Sequence, residues 1–192
     1  MVTRRSRRVA EPPDGFRYLA EFLGADEERG LVRLVEGLPF EPFVFRGVEA
    51  RRRVVHLGHR YDFEARGLEP GLPIPPLLLD LRERIAPIAE RPAERFEEVL
   101  ATEYRPGATI GWHRDAPLFG PKVVGVSLAA ACRMRFQRGK GDARQVAEVT
   151  LEPRSAYVLS GAARWSWQHS IPATKALRWS VTFRTLKEPG GR

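Results

Sequence analysis

His113-Arg114-Asp115 sets an imidazole and a carboxylate two residues apart. Side chains alternate along extended chain, so this spacing aims both at one side and offers two ligands to one metal ion. The chain has four histidines and one cysteine, Cys132, which excludes zinc ribbons, iron-sulfur clusters and an internal disulfide. Any metal must therefore rest on histidine and carboxylate. A third ligand is expected from His169, in the segment Trp165-Ser166-Trp167-Gln168-His169, because His56 and His59 fall outside the β-rich half of the chain. Two histidines and a carboxylate form the facial set that leaves coordination positions open on non-haem Fe(II). An isolated His-x-Asp is common, however, and a lone histidine is more often structural than a ligand.

Near the C-terminus, Arg178-Trp179-Ser180-Val181-Thr182-Phe183-Arg184 embeds two arginines in an apolar strand pattern. Their even spacing points both the same way. A guanidinium aimed into a β core is costly unless a carboxylate meets it, and the partner is either an internal acid or a ligand. On an ideal strand the two would stand about 20 Å apart, so sharing one small diacid needs inward-leaning side chains or a curled strand.

The elements that must position these groups follow from pattern and punctuation. A chain of 192 residues, 43% hydrophobic with 16 prolines and 17 glycines along it, suits one loop-rich domain and argues against disorder or coiled coil. Residues 1–14, with Arg4-Arg5-Ser6-Arg7-Arg8 and Pro12-Pro13, read as a basic arm, and 15–187 as a single domain. A helix is expected over 25–36, since Asp26, Glu27 and Glu28 suit a helix start, Leu31, Leu34 and Val35 make a stripe, and Gly37 follows. Short strands are expected at 42–46 and 52–57. A second helix carries Leu77, Leu81, Ile85 and Ile88 and is expected to break or end at Pro87. Strands are then expected at 98–104, 123–129, 133–137, 146–151, 156–159, 164–169 and 177–186. The fold class is mainly β, a jelly roll with the N-terminal helices packed on one sheet.

The net charge is +8, with 32 Lys and Arg against 24 Asp and Glu. This favours nucleic acid or another polyanion as partner, although arginine excess also accompanies a GC-rich genome. No apolar run approaches the about 18 residues that span a bilayer, and no signal-peptide core follows the first arginines, so a cytoplasmic monomer is expected.

Thr102-Glu103-Tyr104-Arg105-Pro106-Gly107 precedes His113-Arg114-Asp115; Val126-Ser127-Leu128, the stretch from Leu151 to Ile171, and Arg178 through Arg184 follow in order. In these pieces the chain resembles the AlkB-like Fe(II)/2-oxoglutarate-dependent dioxygenases, from about Phe96 to Leu186. That family reads Asn-x-Tyr-x-x-Gly before its His-x-Asp and ends with Arg-x-Asn-x-Thr-Phe-Arg. The resemblance implies a double-stranded β-helix core at about 96–186, a substrate-lid region at about 40–70, and a dioxygenase that takes Fe(II) with 2-oxoglutarate and O2 as cosubstrates. It implies that His113, Asp115 and His169 hold iron. Tyr104, Arg178 and Arg184 would bind 2-oxoglutarate, Arg178 at the carboxylate far from the metal and Arg184 at the near one. Thr102 and Ser180 replace two asparagines of the family around the cosubstrate; each still offers a hydroxyl, with shorter reach. Studied nucleobase demethylases of the family carry a second acid two residues beyond the metal carboxylate, where this chain has Ala116 and Pro117.

In the lid region, Tyr61 and His59 are candidates to stack on a base, and Arg135, beside Met134, to line a phosphate-binding rim; packing and a wet strand face are the competing readings. Trp165 and Trp167 read as core-strand packing, and Cys132 as a buried filler. The favoured function is oxidative demethylation of alkylated DNA or RNA. The same iron chemistry on a protein or small molecule is the alternative, and a non-catalytic nucleic-acid-binding jelly roll the weaker one. A cupin would need a His-x-His that is absent.

Overall fold

Apolar residues on both sides of the C-terminal strands require a partner on each face, and the fold supplies a layer on either side. The computed structural model describes residues 11–45, 47–62 and 67–187. Strands β1 (Phe16–Leu19), β2 (Glu41–Phe45), β3 (Val48–Leu57), β6 (Glu98–Tyr104), β8 (Phe119–Leu128), β11 (Ala156–Leu159) and β13 (Arg178–Leu186) form a seven-stranded sheet in the order β1-β11-β8-β13-β6-β3-β2. Strands β7 (Ile110–His113), β9 (Cys132–Arg138), β10 (Gln145–Leu151) and β12 (Gln168–Ile171) form a four-stranded sheet, β10-β9-β12-β7, while β4 (His59–Asp62) and β5 (Gly67–Pro70) pair separately. All the strand pairings within these sheets are antiparallel. This is the jelly roll expected from the sequence.

Parity divides the large sheet. Val55, Leu57, Val99, Ala101, Val124, Val126, Trp179, Val181 and Phe183 pack against Leu31 and Val35 of α1 (Ala25–Glu36) and Leu78, Leu81 and Ile85 of α2 (Pro76–Ala89). Residues of the other parity face the small sheet, where Tyr104, Val123, Tyr157 and Leu159 meet Met134, Phe136, Ala147 and Leu151. Gly125 serves this interior, because a Cβ there would stand 2.2 Å from the Tyr157 ring.

Helix α1 begins where Glu27 accepts the Gly24 backbone N–H at 2.7 Å, and it ends at Gly37, as expected. Helix α2 departs from expectation by running through Pro87 to Ala89. Buried Ala86 and Ala89 hold the last turn against the core, and Glu90, in the left-handed conformation at φ 56°, stops it. The strand expected at 164–169 is also corrected. Residues Gly161–Trp165 form the short helix α3, and the strand begins only at Gln168. Trp165 is consequently exposed, whereas Trp167 is buried beneath the Arg138 guanidinium. Cys132 is buried as expected.

The chain reaches this frame at Pro13, which is buried. The Asp14 carbonyl accepts from Ala163 N–H, and the Gly15 carbonyl from Ser160 N–H and Oγ, each at 2.9 to 3.0 Å. Gly15 has φ +84°, and a Cβ there would collide with the Ser160 carbonyl. Residues 1–10 of the expected arm lie outside the described residues. Among the described residues no helix is long and apolar enough to cross a membrane.

Candidate active site

The register of two strand pairs assembles the expected ligands. His113 on β7 stands directly opposite His169 on β12, with ring centroids 4.2 Å apart. Asp115 follows β7 by two residues, and its Oδ2 lies 3.8 Å from His169 Nε2. Among the described residues no three His, Cys, Asp or Glu side chains close into full cluster geometry. Asp115 divides its oxygens between His169 and the Arg184 Nε, 3.2 Å from Oδ1.

The protonation states suit a cation. Burial opposes ionisation of Asp115, but Arg184 and the two imidazoles outweigh it and hold the carboxyl well below its usual range. Burial, reinforced by His113, pushes His169 down to about 3, and burial lowers His113 as well. Both rings are therefore neutral at pH 7 with a lone pair to give. His113 Nδ1 is 2.9 Å from the Gly111 carbonyl; donation there leaves Nε2 as the ligand atom. Two neutral imidazoles and one carboxylate fit Fe(II).

The wall beside them is β13. Antiparallel register sets Arg178 opposite Tyr104, Ser180 opposite Thr102 on one side and Ser127 on the other, and Arg184 opposite Glu98. All five expected cosubstrate residues (Thr102, Tyr104, Arg178, Ser180 and Arg184) line an inner cavity of about 50 Å³ that also contains His113, Asp115 and His169. Arg184 is held by acids at both ends, Glu98 Oε1 at 3.5 Å and Asp115 Oδ1 at 3.2 Å. Arg178 is 1% exposed, lies 4.7 Å over the Tyr104 ring and donates to Ser127 Oγ at 3.2 Å. No acid among the described residues pairs with it, and its Nε is buried without a hydrogen-bond partner. A dicarboxylate fits this guanidinium.

Outside the inner cavity opens a groove of about 440 Å³, sharing His113, Asp115, Thr102 and Arg184 with it. Phe43, Ala50, Arg52, Val54, His56, Trp112, Arg114 and Phe119 are among its other lining residues. His56, although before the β-rich half, also reaches the groove, because β3 pairs with β6 and places it opposite Leu100 with Nδ1 3.4 Å from Glu98 Oε1. His59 lines neither cavity; its Nδ1 is 3.1 Å from the Glu97 carbonyl. Arg135 lines neither, but its guanidinium lies 5.1 Å over the ring of Trp112, a residue of the groove lining. The Tyr61 side chain lies outside the described residues.

Arg164 is the positioning residue that the sequence concealed. It is buried, and its guanidinium donates to the carbonyls of Asp115, Ala116, Phe119 and Gly120 at 2.9 to 3.2 Å, fixing the loop that carries the acid ligand. A strand reading of 164–169 gave no reason to look for it. Glu98 escaped notice because its role depends on a register visible only in the folded sheet.

A profile of the 2OG-Fe(II) oxygenase superfamily matches residues 17–185. The uncharacterised protein L905 of Acanthamoeba polyphaga mimivirus is 25% identical over 189 residues, covering 90% of this chain and 85% of that protein. The Mus musculus tRNA (carboxymethyluridine(34)-5-O)-methyltransferase ALKBH8 is 26% identical over 172 residues, 85% of this chain but only 25% of its own length. The solved structure of OsALKBH1 superposes with a TM-score of 0.72 at 16% identity, over 92% of this chain and 99% of that one, a likeness of fold.

Proposed function

The chain belongs to the 2OG-Fe(II) oxygenase superfamily as an AlkB-like dioxygenase using Fe(II), 2-oxoglutarate and O2, and on that premise we propose that it demethylates alkylated nucleic acid oxidatively. His113, Asp115 and His169 hold the iron. When bound, iron and 2-oxoglutarate supply the oxidising power for hydroxylating a C–H bond, with succinate and CO2 as co-products. Arg178 binds the far carboxylate of 2-oxoglutarate, with Tyr104, Thr102 and Ser180 beside it. Arg184 orients Asp115 and faces the near carboxylate. Phe43 and Trp112 wall the groove in which the substrate's methyl group is held against the site. A hydroxylated N-methyl group then leaves as formaldehyde and frees the nitrogen.

One observation carries this reading. A cavity holding a buried arginine with no acid partner among the described residues opens, through shared His113 and Asp115, into an aromatic-walled groove large enough for a base. The net charge of +8 and the tRNA in the name of the ALKBH8 relative support nucleic acid as the partner. The Ala116-Pro117 sequence, which leaves no acid after Asp115, favours a second reading, in which the same chemistry acts on a protein or small molecule.

The test loads the protein anaerobically with Fe(II) and 2-oxoglutarate, admits O2, and follows succinate and formaldehyde across methylated DNA, RNA and peptides. Formaldehyde from oligonucleotides, lost in His113→Ala, supports the first reading. Formaldehyde or hydroxylation with peptides alone selects the second.

A further inference from the structure

We infer that the groove selects a methylated base that carries no positive charge and presents carbonyl oxygens, and that Arg52 enforces this choice. The inference rests on the nucleic-acid reading above and specifies its substrate class.

Parity on β3 brings Ala50, Arg52, Val54 and His56 to the groove. The next residue, Arg53, turns to the other face and has an acid waiting, Glu103 at 3.3 Å, which Arg105 shares at 3.0 Å. Arg184, across the groove, is matched by Glu98 and Asp115. Arg52 differs from all three. Its guanidinium lies 4.0 Å over the Phe43 ring, and among the described residues no carboxylate forms an ion pair with it. Burial is the chief influence disfavouring its charge, and nearby Arg184 adds to it.

The surrounding charges make the site one-sided. Arg52, Arg114 and Arg184 line the groove against one carboxylate, Asp115, whose oxygens are already divided between Arg184 and His169. The neighbouring Glu98 is fully buried and engaged by Arg184, while the residue after Asp115 is Ala116. Adenine methylated at N1 or cytosine methylated at N3 carries a formal positive charge at neutral pH. Such a base would face an unneutralised guanidinium across a low-dielectric groove, with no acid among the described residues free to offset it. Guanine methylated at N1 or uracil methylated at N3 is neutral and offers carbonyl oxygens to the guanidinium donors. His56 lines the same groove, with Nδ1 3.4 Å from Glu98 Oε1.

The experiment uses the full chain with Fe(II) and 2-oxoglutarate and four single-stranded RNAs of one sequence. They carry 1-methyladenosine, 3-methylcytidine, 1-methylguanosine or 3-methyluridine, and kcat/KM is read from formaldehyde. The neutral pair should exceed the cationic pair by about tenfold or more. Arg52→Gln should narrow that ratio and Arg52→Glu should reverse it, with a thermal melt reporting whether each variant folds. Equal or better turnover of the cationic pair by the unaltered protein overturns the inference and leaves the nucleic-acid reading standing, whatever the variants do. Succinate without formaldehyde from any of the four overturns both.

Discussion

The two ends of β13 hold buried guanidinium groups on one face of one strand, in opposite circumstances. At Arg184 the protein supplies the counter-charges itself, Glu98 on the neighbouring strand and Asp115 above it. At Arg178 it supplies an aromatic ring and a hydroxyl and no acid among the described residues. An ion pair completed inside the chain is part of the folded frame, and removing one partner leaves a stranded charge. A buried cation left short of an anion is instead a binding determinant, whose stabilisation comes with its ligand. Sequence spacing alone makes the two arginines look equivalent, and only their partners separate frame from site.

That contrast can be broken from either end. Arg178→Met is expected to have the largest effect, lowering 2-oxoglutarate affinity by roughly a hundredfold, while the melting temperature of the ligand-free protein holds or rises because an unpaired buried charge is gone. Succinate formation against 2-oxoglutarate concentration, set beside a thermal melt, reads both halves. Glu98→Gln should do the reverse, lowering stability by about 2 kcal/mol in urea denaturation and affecting cosubstrate binding less. Were Arg178→Met to unfold the protein and Glu98→Gln to leave it untouched, the division would be inverted.

Arg164→Met probes the metal side of the frame. With four carbonyls released around the Asp115 loop, metal affinity should fall about tenfold in an anaerobic Fe(II) titration. The smallest effect is expected at Thr102→Val, which removes one hydroxyl from the inner cavity and should raise the KM for 2-oxoglutarate a few-fold, about 1 kcal/mol or less.

The parts of the site governed by alternation were legible in the sequence. His113 with Asp115, and Arg178 with Ser180 and Arg184, lie at even spacings on extended chain, and strand geometry alone puts each set on one side. The helix over Ala25–Glu36 was legible because its acidic first turn and terminal glycine are local signals. The groove's far wall was not. His56 and Arg52 reach the site only because β3 adds to β6, a pairing between segments about forty residues apart that no local pattern encodes. Residues 164–169 misled for a related reason. Trp165 and Trp167 alternate as in a strand, but the helix over Gly161–Trp165 is stabilised by contacts Arg164 makes some forty-five residues back in the chain. Pro87 was overweighted for the opposite reason, since the local cost of its missing bond back to Glu83 is outweighed by burial of Ile85, Ala86 and Ala89 against the core.

The backbone bonds of Asp14 and Gly15 reach further than their place at the start of the fold suggests. They clamp Ser160 and Ala163, neighbours of the arginine that steadies the acid ligand's loop. Trimming the chain back to Phe16, or replacing Gly15 with a bulkier residue, would therefore be felt at Asp115, one of the proposed iron ligands, through the short helix between them. Deletions designed to tidy the amino terminus should spare that clamp, since a weakened metal grip could otherwise be mistaken for a defect in the ligands themselves.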